Sequence, residues 1–217
     1  SKAVVCAALV VVVLGVAGAR ELSVTAEDEA SAVVGFYTWN WGAGSRGPPD
    51  SNIAVAFTGL VDVQNAISGY TPGASWCCPA LKTPQRFLSL GGGNAAGMFS
   101  DDSILAVSRP ENLQAIHDAE YTGIMFDVEE VSGDADLVIK AFAATFAAVK
   151  RSGLTVAITM SHSAPYQTDT PETATALVEA WAADPNVDII SPQLYSSGTE
   201  PAPQFDVTDF CKPECGW

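Results

Sequence analysis

Short apolar runs alternate along this chain with longer amphipathic stretches, and no other feature constrains its fold as tightly. The runs are Val33 to Trp39, Asn52 to Phe57, Arg86 to Leu90, Gly123 to Glu129, Leu154 to Met160 and Val187 to Tyr195. Runs this short and this apolar read as strands buried on both faces, as in a parallel sheet covered by helices. The stretches between them carry helix boundaries. Ser108-Arg109-Pro110-Glu111 has the form of a capping box and predicts a helix to about Ala119. Asp134 to Arg151 repeats Leu137, Val138, Phe142, Phe146 and Val149 at helical spacing, with Gly153 as the stop. Thr170-Pro171-Glu172 supplies a cap, a first-turn proline and an acid for a further helix, which Asp184-Pro185 ends. Strand and helix alternate with no domain-scale linker and no repeat, so one α/β domain is expected. Gly42 to Ser51 and Gly69 to Pro84, rich in Gly, Pro and Ser, predict long loops after strands.

The 217 residues, 48% hydrophobic and 16% charged, suffice for one sizeable core. Acidic side chains outnumber basic ones 25 to 10, a net charge of −15. A field of that sign repels nucleic acid and anionic lipid, and neither is expected as a partner. The acidity itself serves solubility and says nothing of a catalytic site. Residues 1–19 stand apart: Lys2, an apolar run from Ala3 to Val16, then Ala17-Gly18-Ala19. This is the pattern of a secretory signal cleaved before Arg20, which predicts an extracellular protein folded from residues 20–217. A retained membrane anchor is the rival reading, and the small-x-small exit favours cleavage. Cleavage removes Cys6 and leaves Cys77, Cys78, Cys211 and Cys215, an even count that predicts two disulfides. Either Cys77 and Cys78 both pair with the tail, or Cys211 pairs with Cys215. With only His117 and His162 in the chain, a metal site is not expected.

The most informative run is Tyr121-Thr122-Gly123-Ile124-Met125-Phe126-Asp127-Val128-Glu129-Glu130. Alternate residues of a strand share a face, which puts Ile124, Phe126 and Val128 against the helices. Met125, Asp127 and Glu129 then face the other way, two carboxylates at the strand's C-terminal end. Acids so placed in an apolar surround resist ionising together, and one keeps its proton beside an ionised partner. That pairing is what glycosidic bond cleavage requires. Glu130 has the opposite parity and reads as structural or solvent-facing. Tyr37, Trp39 and Trp41, where the first strand meets its loop, can stack on sugar rings or pack in the core. Gly91-Gly92-Gly93 lacks the spacing of a phosphate-binding loop and reads as a tight turn. Ser161-His162-Ser163 lacks a nucleophile elbow, so His162 is read as a rim or packing residue.

Gly123-Ile124-Met125-Phe126-Asp127-Val128-Glu129 resembles the fourth-strand signature D-G-x-D-x-D-x-E of the family 18 glycoside hydrolases, nearest to plant class III, hevamine-like chitinases. Arg86 to Gly93 resembles that family's third-strand S-x-G-G motif, and Gln193-Leu194-Tyr195 its sixth-strand Q-x-Y. Val33 to Tyr37 and Asn52 to Phe57 look like its first two strands. The resemblance implies a (β/α)8 TIM-type barrel, here incomplete, with about six βα units and the last strands missing. Thr122, Met125 and Ser196 stand where the family has acids, or for Ser196 an Asp or Asn.

The resemblance further implies retaining, substrate-assisted cleavage of β-1,4-linked N-acetylglucosamine polymers such as chitin. Glu129 would protonate the glycosidic oxygen and the sugar's N-acetyl oxygen would attack the anomeric carbon. Asp127 would accept a hydrogen bond from the acetamido N–H, and Tyr195 would hold the acetamido oxygen. Tyr37, Trp39, Gly91, Gly92, Gln193 and Met125 complete the expected substrate contacts. No metal or organic cofactor enters the scheme, and a monomer is expected. The alternative is a chitinase-like carbohydrate-binding protein with weak or no catalysis, a reading that Met125 and the missing strands favour.

Overall fold

All six runs form strands: β1 (Gly35–Trp39), β2 (Ile53–Phe57), β3 (Gln85–Gly91), β4 (Gly123–Asp127), β5 (Thr155–Ser161) and β6 (Ile189–Gln193). The structure is a computed structural model that describes residues 34–39, 51–70, 83–161 and 164–193. The strands make one parallel sheet in the order β1-β2-β3-β4-β5-β6. Helix α1 (Val63–Gly69) follows β2, and α2 (Asp101–Val107) and α3 (Pro110–Asp118) follow β3. Helix α4 (Ala135–Arg151) follows β4, and α5 (Pro171–Ala183) follows β5.

A parallel sheet whose order never reverses sends every right-handed crossover to the same side. The two faces of the sheet bear this out. Leu88, Leu90, Ile124, Phe126, Ile158 and Met160 join Phe142, Phe146 and Trp181 of the helices in the main core. The opposite face carries a smaller cluster, Ile53, Val55, Phe87, Met125 and Ala157, with no helical member. Among the described residues one face carries helices and the other none, and with sequential strand order this is the arrangement of an incomplete α/β barrel. A doubly wound sheet would instead reverse its order at a switch point.

The core is aromatic at its centre. Phe126 of β4 meets Phe142 and Phe146 of α4 edge-on, at 6.3 and 5.2 Å between ring centroids. Phe142 in turn meets Trp181 of α5 at 5.2 Å. Burial of a phenylalanine of this kind contributes about 1.5–3 kcal/mol. This packing fixes the outward face of β4, and strand geometry then commits Met125 and Asp127 to the inward face. Leu137, one of the α4 positions expected to be buried, is 53% exposed, while Val138, Phe142, Phe146 and Val149 are buried.

Helix boundaries agree with the sequence in two places and differ in a third. Asp134 caps α4 through Asp136 and Leu137 N–H, and Thr170 caps α5 through Thr173 N–H. Gly153 adopts a positive φ of 88° after α4. Ser108, however, is not the cap of α3. It ends α2, donating its hydroxyl to Leu105 O at 2.8 Å, and Arg109 begins α3 with no side-chain cap. The apolar residues of α2 make a separate helix there, begun by a reciprocal Ser100–Ser103 box. Helices α1 and α2 have only seven residues each, too few for a 3.6-residue period to show.

The expected signal segment, all five cysteines, Trp41, His162, Tyr195, Ser196 and most of the two Gly/Pro/Ser-rich loops lie outside the described residues. Among the described residues no helix is long and apolar enough to cross a membrane.

Candidate active site

Asp127 is the last residue of β4, in register with Gly91 of β3 and Thr159 of β5. Strand β4 stops two residues before the predicted end at Glu129. Val128 N–H still reaches Thr159 O at 2.8 Å, but beyond it the chain leaves the sheet. Glu130 bridges to Gln167 and Val131 to Phe99 instead. Neighbouring loops thus take over the backbone pairing that β3 and β5 no longer offer.

The bend does not part the two acids. Gln193, at the end of β6, directs its Nε2 to Asp127 Oδ1 and to Glu129 Oε1, at 3.0 Å each. A single amide group therefore donates to both carboxyl groups, on the inward face at the C-terminal end of the sheet. Asp127 is 3% exposed, whereas Glu129 is partly open. Burial first, then the charge of Glu129 and a hydrogen bond with it, raise the Asp127 carboxyl well above its ordinary value of 3.8. The Gln193 amide pulls in the opposite direction. Burial and the neighbouring Glu129 both favour the protonated form of Asp127. In that form Asp127 can donate, not only accept, a hydrogen bond.

Met125 lies one inward step below Asp127, buried, opposite Ser89 of β3 and Ala157 of β5. It gives Asp127 an apolar floor. The hydroxyls of Ser89 and Thr159 on the same face are buried without a hydrogen-bond partner among the described residues. Thr122, where the resembled signature has an acid, pins β3 to β4: its hydroxyl accepts from Arg86 N–H at 2.9 Å and donates to Arg86 O at 3.2 Å.

Gly91 and Gly92 turn the chain sharply beside Asp127, with φ of 101° and 130°. A Cβ on Gly91 would stand 2.3 Å from Asp127 O and 2.4 Å from a Phe99 ring carbon, so no side chain fits. Gly92 faces Phe57 and Gly59. Tyr37 shares the inward face and meets Phe57 edge-on at 6.5 Å. Trp39, at the C-terminal end of β1, is exposed.

Two residues at this end of the sheet escaped the sequence reading of the site. Glu130, read as structural or solvent-facing, is buried at 9% exposure just after the bend at Glu129, which fits the structural alternative. Its Oε1 accepts a 2.5 Å hydrogen bond from the hydroxyl of Tyr166. Burial of that hydroxyl, its hydrogen bond to Glu130, and the charges of Glu130, Glu129 and Asp127 raise the Tyr166 phenol above its ordinary 10.0. Nothing in Ala164-Pro165-Tyr166 marks it in the sequence. A cavity bounded by Asn52, Gln85, Thr155 and Ile189 opens at the opposite end of the strands, away from the carboxylates. Among the described residues no group of three or more His, Cys, Asp or Glu is placed to hold a metal ion.

Fold and side chains together define an α/β-barrel segment with a paired carboxyl centre at the C-terminal end of its strands. No family model and no curated protein matches the chain. Among solved structures it is similar to a chitinase from Chromobacterium violaceum, at 17% identity and a TM-score of 0.41, over 68% of this chain. The chain spans about half, 49%, of that protein's length. So distant a likeness does not bear on chemistry, for which the residues themselves must speak.

Proposed function

We propose that the chain is a glycoside hydrolase acting on β-1,4-linked N-acetylglucosamine polymers, with retention and with assistance from the substrate. The observation that carries the reading is the Gln193 amide joined to both Asp127 and Glu129, which brings the two acids together at one point of the inward face. In this scheme the proton on Asp127 lies in its hydrogen bond with Glu129. As the substrate's acetamido N–H approaches Asp127, the proton passes to Glu129 and leaves Asp127 as the acceptor for that N–H. Glu129 then protonates the glycosidic oxygen as the bond to the anomeric carbon breaks. The N-acetyl oxygen closes on that carbon, and water later opens the ring with Glu129 as base. Tyr195 orients the acetamido oxygen, and Trp39 and Tyr37 line the approach. In this reading the first nineteen residues export the chain, which works as a secreted monomer and belongs with the family 18 enzymes.

A second reading, a glycan-binding protein without turnover, draws on a specific observation. Met125, in register with Ser89 and two residues before Asp127, puts an apolar side chain on the same face, where the Ser89 hydroxyl has no hydrogen-bond partner among the described residues. A release assay on a fluorogenic chitobioside and chitotrioside, with Glu129→Gln as control, separates the two. Turnover that the variant loses while still binding oligomer supports the enzyme. Binding without turnover in the parent supports the second reading, and equal turnover by parent and variant removes Glu129 from the mechanism.

A further inference from the structure

Four large apolar or aromatic side chains are exposed among the described residues: Trp39, Leu105, Leu137 and Tyr166. Leu105 and Leu137 belong to α2 and α4, in the outer helical layer. Trp39 ends β1 and Tyr166 follows β5, so both aromatics sit at or just past strand C-termini, the end of the sheet where the carboxyl pair also lies.

Tyr166 is 57% exposed, yet it is anchored at both ends. Its hydroxyl donates to the buried Glu130 carboxylate. Next to it in the chain, Gln167 N–H donates to Glu129 O at 3.3 Å, and Gln167 O accepts from Val131 N–H at 2.8 Å. The hydroxyl also lies close to the acid. A Cβ placed on Gly93 would stand 2.8 Å from Tyr166 Oη and 2.8 Å from Glu129 Oε2. The absent side chain of Gly93 is what lets the ring and the carboxyl group approach one another.

An aromatic side chain held at its tip and more than half exposed loses little freedom when a flat apolar surface settles on it. The C–H face of a β-linked pyranose is such a surface. The carboxyl groups of Glu130, Glu129 and Asp127 around the ring disfavour an anionic sugar. We propose that Tyr166 is a sugar-stacking platform, on which an uncharged pyranose unit of the substrate rests beside the bond that Glu129 cleaves. The proposal deepens the hydrolase reading and rests on it.

The test measures binding of chitotetraose by calorimetry to the full chain carrying Glu129→Gln, alone and with Tyr166→Ala, Tyr166→Trp or Tyr166→Phe. Loss of the ring weakens binding about tenfold, the size of one good stacking contact. Trp and Phe, which keep a flat face and lack the hydroxyl, stay within about threefold of the background. Should the alanine variant fail to fold, Tyr166→Leu replaces it, keeping apolar bulk without a flat face. Alanine or leucine variants that bind as tightly as the background overturn the platform. So do Trp and Phe variants weakened as much as alanine, since the hydroxyl tie alone would then matter. Failure of the hydrolase reading shows separately, as turnover unaffected by Glu129→Gln in the otherwise unaltered chain. Absence of any chitotetraose binding overturns both.

Discussion

Asp127 and Glu129 are joined through one side chain: the Gln193 amide nitrogen stands 3.0 Å from a carboxyl oxygen of each. The acids come from the end of one strand and the bend after it, and the amide comes from two strands away across the sheet. A barrel-type curvature is what lets β6 reach the residues of β4 on the inward face. The amide opposes burial, drawing the Asp127 carboxyl back toward the ionised form.

Gln193→Leu removes that donor at similar volume. The Asp127 titration midpoint should move further upward, since burial and Glu129 then act unopposed. Loss of two partly solvated hydrogen bonds should cost about 1–2 kcal/mol of stability. Carboxyl-resolved NMR titration and urea unfolding measure the two effects.

Asp127 also imposes a pH dependence on folding. Its carboxyl titrates higher in the folded chain than in the unfolded one, so the folded state binds the proton more tightly. The stability it contributes is fully present below the unfolded pKa and is lost as pH rises through the folded value. Asp127→Asn is neutral at every pH and escapes the loss. Thermal unfolding from about pH 4 to about pH 8 should show the variant's Tm gaining on wild type as pH rises. A gap that stays constant would mean Asp127 ionises normally.

The glycines divide sharply. Gly91→Ala meets a positive φ and a wall of Asp127 backbone and Phe99 ring, and should cost about 3 kcal/mol or more. Gly153→Ala meets a positive φ of 88° with nothing within 4 Å, and should cost only about 1 kcal/mol. Urea midpoints of the two variants make the comparison, and Gly91→Ala should also disturb the Asp127 titration.

The sheet was legible because its strands are apolar on both faces, and Phe126 and Asp127 sit on opposite sides of β4 as alternation requires. Longer helices were legible too, since Asp134 and Thr170 are caps whose chemistry is local. Helices α1 and α2 were not, being seven residues each. Ser108 misled because a hydroxyl three residues before an acid has the form of a cap whether it starts one helix or ends another. At the site, Asp127 and Glu129 followed from parity, but Glu130 did not, because a bend is decided by the loops around Phe99 and Gln167. The Tyr166–Glu130 contact spans 36 residues and leaves no periodic trace in the chain.

The carboxyl pair itself is tested most directly by the titration of Asp127 in wild type and in Glu129→Gln, followed by carboxyl-carbon NMR. The charge of Glu129 and its hydrogen bond both hold the Asp127 proton in place. Removing the charge, while the Gln amide can still accept a hydrogen bond, should bring the midpoint down clearly while burial keeps it above 3.8. An Asp127 titration that is unchanged by the substitution would show that the two acids do not share a site.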